Sequence, residues 1–378
     1  MHPLACFSEK IPSKWISMVS VVLLLAFSFS SCSWPIGKQS TDTFESKTLF
    51  AMDTIILLEA SGEEASYALV AAENTIRAYE TMFSRTSATG DVAMINNATE
   101  ENPAEISHFT YNLIYQAMEL SEKTDGAFDP TLGAVSTLWG FSTASTDESI
   151  TISEAEHSTE TISDLRVPDD DDIAAAQETV GIEHIHMSAN EDIWLDPCTI
   201  LDLGGIAKGY IADLVIESMQ NYDVTAIMIN LGGNIRTWGA KASGDPFVIG
   251  IQDPSCSDAL IGTIDLTGEG SVITSGNYER YFEEDGVRYG HIMDGETGRP
   301  VDTDLLSVSI INEEGATGDA LSTALFAMGE ARAVTYALEN NLSVILVNEE
   351  NEIHITSDLQ DVFQGEENRD VRIINEAT

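Results

Sequence analysis

The chain has 378 residues, with 17 Lys plus Arg against 63 Asp plus Glu and a formal net charge of −46. Charge of that sign repels nucleic-acid phosphates and bare anionic lipid, so no nucleic-acid partner is expected. A phosphate-bearing ligand would need local neutralisation, for which a divalent ion is the natural means. The cysteines are Cys6, Cys32, Cys198 and Cys256, and their spacing fits no zinc motif. Cys198 and Cys256 are read as unpaired thiols, with a bridge in an oxidising compartment as the alternative.

Lys10 and Lys14 precede an apolar run from Val21 to Phe29, which meets Ser30, Ser31 and Cys32. A basic start, a short apolar stretch and small residues describe a secretory signal over residues 1–31. The run is short for a membrane span. Phe29-Ser30-Ser31-Cys32 resembles a bacterial lipobox, which implies lipidation of Cys32 and a membrane anchor on the extracytoplasmic side. Ordinary cleavage to a soluble product is the alternative. Residues 32–47 then read as the lipidated cysteine and a Ser/Thr-rich tether, and a folded domain is expected from Thr48 to Thr378.

Within the domain, Ala51 to Leu58 ends in a strand-like run, and Glu64–Phe83 carries helical periodicity through Ala68, Leu69, Ala72, Ile76, Tyr79 and Phe83. Asp91–Asn96 reads as a short helix. Ser107 is placed to cap a helix over His108–Lys123, with Phe109, Leu113, Ala117 and Leu120 inward. Residues 142–172 are acidic and poor in large apolar groups, which argues for a surface excursion. Its terminal run Asp169–Asp172 lacks the alternation and glycine of a calcium loop, and suits the start of a helix over Ile173–Val180.

Asp202-Leu203-Gly204-Gly205-Ile206-Ala207-Lys208-Gly209-Tyr210 follows an apolar, strand-like run and opens a helix to about Met219. Strand, glycine pair and helix would leave backbone N–H groups free for an anion. A second glycine pair, Gly232-Gly233, follows the apolar run Thr225–Asn230, so two backbone segments are expected to meet one ligand. Further strands are expected near 247–251, 262–266, 271–274, 306–311, 344–347, 353–356 and 371–374. A hairpin turning at Gly286 should return through His291, and Thr297–Pro300 is a turn. Gly318 opens a helix on which Asp319 and Thr323 share a face at i, i+4. A backbone carbonyl near Gly205, the Asp319 carboxylate and the Thr323 hydroxyl form an oxygen set suited to magnesium. A helix cap with a solvent-facing threonine is the plainer reading of the last two.

These segments together resemble the ApbE-like FAD:protein FMN transferase family. The matching stretches are Ala51–Thr54, Phe83–Arg85, Asp125–Pro130, Leu138–Phe141, Asp202–Tyr210, Ile229–Asn234, Thr274–Arg280, His291–Asp294, Thr297–Pro300 and Asp319–Ala324, in family order. The resemblance implies one large α+β domain, a mixed and mostly antiparallel sheet with flanking helices. It implies Mg²⁺ held by Gly205, Asp319 and Thr323, with FAD bound as substrate. Met52, Ala127, Phe128, Asp129, Asp202, Lys208 and Ile292 would line the FAD site, and His291 would deprotonate the acceptor hydroxyl. The implied reaction moves FMN from FAD to a Thr or Ser of an acceptor redox protein and releases AMP. Asp53 stands where many members carry Gly, Gly295 where Pro is usual, and Ser322 where some place a further acid. An FAD pyrophosphatase and a non-enzymatic flavin-binding lipoprotein remain alternatives. Glu314-Gly315-Ala316-Thr317 echoes the acceptor motif of such enzymes and is read as coincidence.

Overall fold

A computed structural model describes residues 43–141, 165–188, 190–278, 280–367 and 369–375. The expected signal segment, Cys32, most of the tether, and residues 142–164 of the acidic stretch lie outside the described residues.

Nine strands form one sheet in which sequence order is also spatial order: Glu45–Ala51, Thr54–Ser61, Ala226–Leu231, Asn234–Gly239, Gly270–Gly276, Leu305–Asn312, Ser343–Asn348, Ile353–Thr356 and Val371–Ile374. Neighbours are antiparallel except the last pair, which is parallel. The first strand starts at Glu45, inside the segment read as tether, because it pairs in register with Ala60. Alternation along Thr54–Ser61 sends Ile56, Leu58 and Ala60 to one buried face. The described residues thus give the expected α+β architecture.

Eight helices are described: α1 (Ala65–Phe83), α2 (Asp91–Ile95), α3 (His108–Lys123), α4 (Gly133–Leu138), α5 (Asp170–Gln177), α6 (Ala207–Met219), α7 (Gly315–Met328) and α8 (Glu330–Glu339). One face of the large sheet packs against helices, joining Ile56, Ile229 and Val308 to Ala72, Val215 and Leu325 in the main core. The other face meets a three-stranded sheet of Phe247–Asp253, Cys256–Leu266 and Phe363–Gly365 through Phe247, Ile264, Val272 and Ile345. Ser107 caps α3 by accepting from the Thr110 N–H. Phe109 is not inward; it is 41% exposed and only edges onto the Tyr79 ring, 5.3 Å between centroids. α5 begins at Asp170, so Asp170, Asp171 and Asp172 form its first turn and favour its dipole. The end of the acidic stretch is ordered against the core: Leu165 and Val167 pack beside Trp139 and Ile173.

Two hairpin tips sit side by side at one end of the sheet. Met52 (φ 51°) and Asp53 (φ 57°) make the two-residue turn between the first strands, and Gly232 (φ 62°) and Gly233 (φ 93°) make the next. Left-handed φ explains why glycine suits the position held by Asp53. A methyl built on Gly232 would lie 2.3 Å from Thr54 Oγ1, so the tips touch.

α6 and α7 meet more closely than side chains would permit. A methyl built on Gly209 would fall 2.1 Å from the Gly315 carbonyl oxygen and 2.8 Å from Asp319 Cβ. We expect Gly209→Ala to cost about 1–3 kcal/mol through overpacking, read by chemical denaturation. Gly270→Ala, whose methyl meets nothing nearer than 3.7 Å, should cost less. Equal stability of the two variants would show that the helices have room to part.

Candidate functional site

The approach to Asp202 is not a strand. Asp192–Leu195 is the last strand before it, and residues 196–203 form a loop whose one β-bridge joins Leu132 to Ile200. The apolar run misled because burial alone gives the same pattern: Leu201 is buried, and the Asn96 amide replaces a strand partner. Its Oδ1 accepts from Leu201 N–H at 2.7 Å, and its Nδ2 donates to the Leu201 carbonyl at 3.0 Å. Asp202 then uses both oxygens within the protein. Oδ1 accepts from Gly204 N–H at 2.9 Å, and Oδ2 lies 3.2 Å from Arg85 Nη1. Arg85 itself donates to the Gly133 carbonyl at 3.0 Å, which fixes the loop over α4.

α6 and α7 run antiparallel in a four-residue step. Gly205 faces Thr323, Gly209 faces Asp319, and Asp213 faces Gly315. Each helix start is closed by a carboxylate from the other. Asp319 Oδ2 accepts from Gly209 N–H at 2.9 Å. Asp213 accepts from Gly315 N–H at 2.9 Å and Ala316 N–H at 3.0 Å. These are the orphan donors of a helix N-terminus, and neither helix carries its own side-chain cap. α7 therefore begins at Gly315, not Gly318, and Asp319 is a buried residue of its second turn rather than a cap of its own helix. Arg236 holds Asp213 from behind, Nε to Oδ1 at 2.7 Å. The Gly315-Ala316-Thr317 echo is this helix start, with Thr317 donating to Glu314 Oε2 at 2.9 Å.

Asp319 is 4% exposed. Burial pushes its carboxyl above the ordinary carboxylate value, opposed by the Lys208 ammonium, the Gly209 and Lys208 N–H groups and the Asn234 amide. The buried Asn234 Nδ2 lies toward Asp319 and favours its anion, without reaching regular hydrogen-bond geometry. A buried carboxylate raised by desolvation is a place where a cation relieves a cost. The donor types agree: a methyl on Gly205 would sit 3.6 Å from Thr323 Oγ1, so the Gly205 backbone, the Asp319 carboxylate and the Thr323 hydroxyl line one groove. Carbonyl, carboxylate and hydroxyl oxygens suit a hard divalent ion. Among the described residues no cluster of three His, Cys, Asp or Glu offers a competing metal site.

His291 lies in the bend after Tyr281–Glu284 and Val287–Gly290, a hairpin turned by Asp285 (φ 52°) and Gly286 (φ 80°). Its Nδ1 is 3.2 Å from the Arg280 carbonyl. A carbonyl only accepts, so Nδ1 carries the hydrogen and Nε2 presents a lone pair. Burial, then the charges of Arg280 and Lys208, lower its pKa from 6.5 to about 3. The imidazole is thus neutral at physiological pH, and anionic ligand charge beside Lys208 would strengthen it as a base. An aromatic group backs it: Phe141 meets the His291 ring edge-on at 6.4 Å and Phe282 at 5.8 Å, while Arg280 Nη2 donates to the Phe141 carbonyl at 3.1 Å.

The remaining expected residues join this centre unequally. Phe128 is buried, its ring 3.2 Å from a methyl built on Gly205. Met52 N–H donates to Glu80 Oε1 at 2.6 Å, and its hairpin touches the one that carries Asn234. Asp129 is raised by burial and turned inward, accepting from Thr131 N–H at 2.7 Å and Oγ1 at 2.5 Å. Ala127 and Ile292 pack into the main core. Asp213, Asn234 and Ser275 carry the site without having been assigned a role from sequence. The repeated four-residue spacing of Gly205, Gly209 and Asp213 against Gly315, Asp319 and Thr323 was the signal available. A separate cleft of about 920 Å³, lined by Asn96, Trp194, Asp196 and Cys198, includes none of the expected site residues. Cys198 and Cys256 are free thiols, as read.

A depressed His291 pKa means that the unfolded chain takes up a proton that the folded one refuses. Stability present above about pH 6.5 is therefore lost as pH falls toward 3. We expect the His291 imidazole of the ligand-free protein to show the Nδ1–H tautomer and no titration between about pH 5 and 8 by NMR. A midpoint near 6.5 would contradict the environment described.

Residues 52–346 match the model of the ApbE family. The FAD:protein FMN transferase of Vibrio cholerae serotype O1 is 33% identical over 260 residues, covering 68% of this chain and 72% of that relative. The crystal structure of the ApbE protein from Thermotoga maritima superposes with a TM-score of 0.75 at 31% identity, over 85% of this chain and 99% of that one. The flavin transferase ApbE from Vibrio cholerae gives a TM-score of 0.71 at 26% identity, over 85% and 100%. With the two-helix groove and its neutral histidine in place, these matches decide the family: the chain belongs to the ApbE family.

Proposed function

We propose that this protein transfers the FMN moiety of FAD to a threonine or serine hydroxyl of an acceptor protein, with AMP as the leaving group. The observation that carries this reading is the α6–α7 oxygen groove with Lys208 acting on both Asp319 and His291. In a chain of net charge −46, that local cation is the feature that lets a pyrophosphate approach.

The residues divide the work. Lys208 offsets the pyrophosphate charge and the charge that gathers as the bond breaks. His291 Nε2 takes the proton of the acceptor hydroxyl. The hydroxyl oxygen bonds to the phosphorus of the FMN half, and the bond from that phosphorus to the bridging oxygen breaks. AMP departs with the bridging oxygen and its electron pair. Gly205, Asp319 and Thr323 would hold Mg²⁺, which supplies Lewis-acid neutralisation of the phosphates. Phe141 packs edge-on against the histidine ring, with Phe282 and Trp139 packed behind it. We further read Cys32 as a lipid anchor that places the domain on the extracytoplasmic face of the membrane, beside an acceptor redox protein. The lipobox-like sequence supports that reading.

The test incubates purified protein with FAD, Mg²⁺ and a Ser/Thr acceptor peptide, and follows peptide mass and AMP. FMN-labelled peptide with AMP is expected. Free FMN and AMP without labelled peptide would make the protein an FAD pyrophosphatase, and bound FAD without turnover a carrier. Asp319→Asn should lower transfer by about a hundredfold or more. Unchanged turnover in that variant would remove Asp319 from the machinery.

A further inference from the structure

Three side-chain hydroxyls form a connected chain under the candidate ion site. Thr323 Oγ1 lies 3.3 Å from Ser275 Oγ and 3.2 Å from the Asp319 carbonyl oxygen. Ser275 Oγ lies 2.8 Å from Ser322 Oγ, and Ser322 Oγ is 2.9 Å from the same carbonyl. Hydroxyl hydrogens are free to rotate, but a carbonyl has none to give. Ser322 must therefore donate to the Asp319 carbonyl. Its hydrogen is then used, so it accepts from Ser275. Ser275 in turn has only lone pairs to offer Thr323. Both neighbours of the Thr323 hydroxyl are acceptors, and its hydrogen points back into the protein.

We propose that Ser275 is a positioning residue that, through this one-way hydroxyl chain, keeps a lone pair of Thr323 directed at the bound cation. The proposal rests on the reading of Gly205, Asp319 and Thr323 as ion ligands. Ser275 suits the task because it stands on the central strand Gly270–Gly276, paired in register with Val308 on one side, so its hydroxyl is set by the sheet rather than by α7. Ser322 is buried within α7 and is bonded at both ends of its hydroxyl. Without Ser275, the Ser322 hydroxyl loses its donor, and Thr323 keeps one acceptor, the Asp319 carbonyl that it shares with Ser322, so its hydrogen is held less firmly away from the cation side. Supporting residues of this kind affect metal affinity more than fold.

Ser275→Thr and Ser275→Val are close to isosteric and differ in the hydroxyl alone, so comparing them removes the effect of added bulk. Mn²⁺ serves as the probe, with affinity read from the EPR signal of the free ion in titrations of each purified variant. Ser275→Thr is expected to bind near the native affinity, and Ser275→Val about tenfold more weakly. The Mg²⁺ concentration for half-maximal FMN transfer should rise by the same factor in Ser275→Val. Equal Mn²⁺ affinity of the two variants would overturn the proposal. Asp319→Asn separates the two claims: it should lose Mn²⁺ binding altogether. Loss there with no difference between the Ser275 variants defeats only the hydroxyl chain, while native binding in Asp319→Asn defeats the ligand reading beneath it. Should Ser275→Val fail to fold, Ser275→Ala provides the same hydroxyl deletion without added bulk.

Discussion

α6 and α7 each end the other. Asp319 of α7 bonds the Gly209 N–H at the start of α6, and Asp213 of α6 bonds the Gly315 and Ala316 N–H groups at the start of α7. Such exchange needs the backbones to approach within the reach of a short side chain, which Gly209 and Gly315 permit and any larger residue obstructs. The positive end of each helix then stabilises the carboxylate it meets. The two acids differ in what else they meet. Asp213 has Arg236, whose guanidinium also reaches Glu269, so its charge is matched by protein. Asp319 has backbone N–H groups, a nearby ammonium and the Asn234 amide but no guanidinium bridge, and burial holds its carboxyl above the ordinary value. The Asp213 half is bridged by a guanidinium, whereas the Asp319 half lies beside the Gly205 backbone and the Thr323 hydroxyl.

The sheet makes that asymmetry useful. Its sequential antiparallel order places the hairpins at Met52-Asp53 and Gly232-Gly233 side by side, which brings Asn234 to Asp319 and Ser275 to Thr323. Lys208, one turn into the same region, acts on both Asp319 and His291 and so couples the two halves of the centre. In a chain this acidic, a phosphate ligand is repelled from most of the surface, and the proposed site offers it Lys208 and the cation that Gly205, Asp319 and Thr323 would hold. The family matches point to flavin transfer, and the α6–α7 groove brings together the oxygen donors and the ammonium that the proposed reaction uses.

Much of this was legible in the residues. α1 followed its apolar period through Ala68, Leu69, Ala72 and Ile76, and the Ser107 cap marked α3 to the residue. The i, i+4 spacing put Asp319 and Thr323 on one helix face, and the fold brings the Gly205 and Gly209 backbone to that face. What was hidden depended on partners distant in sequence. The loop before Asp202 resembled a strand because the Asn96 side chain, not a neighbouring strand, satisfies Leu201. The start of α7 was misplaced because its cap comes from Asp213, about a hundred residues earlier. Phe109 fits the inward stripe of α3 by period but lies at its first turn, where the helix leaves the core. Ser275 and Asn234 lay inside recognised motifs, yet their roles appear only once the strands set them beside α7.

The antiparallel pairing of α6 and α7 is proposed to build a cation site from Gly205, Asp319 and Thr323. Anomalous diffraction from crystals grown with Mn²⁺ locates the ion directly. A single strong peak is expected within coordination distance of the Gly205 carbonyl, an Asp319 carboxylate oxygen and Thr323 Oγ1. A peak elsewhere, with this groove unoccupied at saturating Mn²⁺, would contradict it.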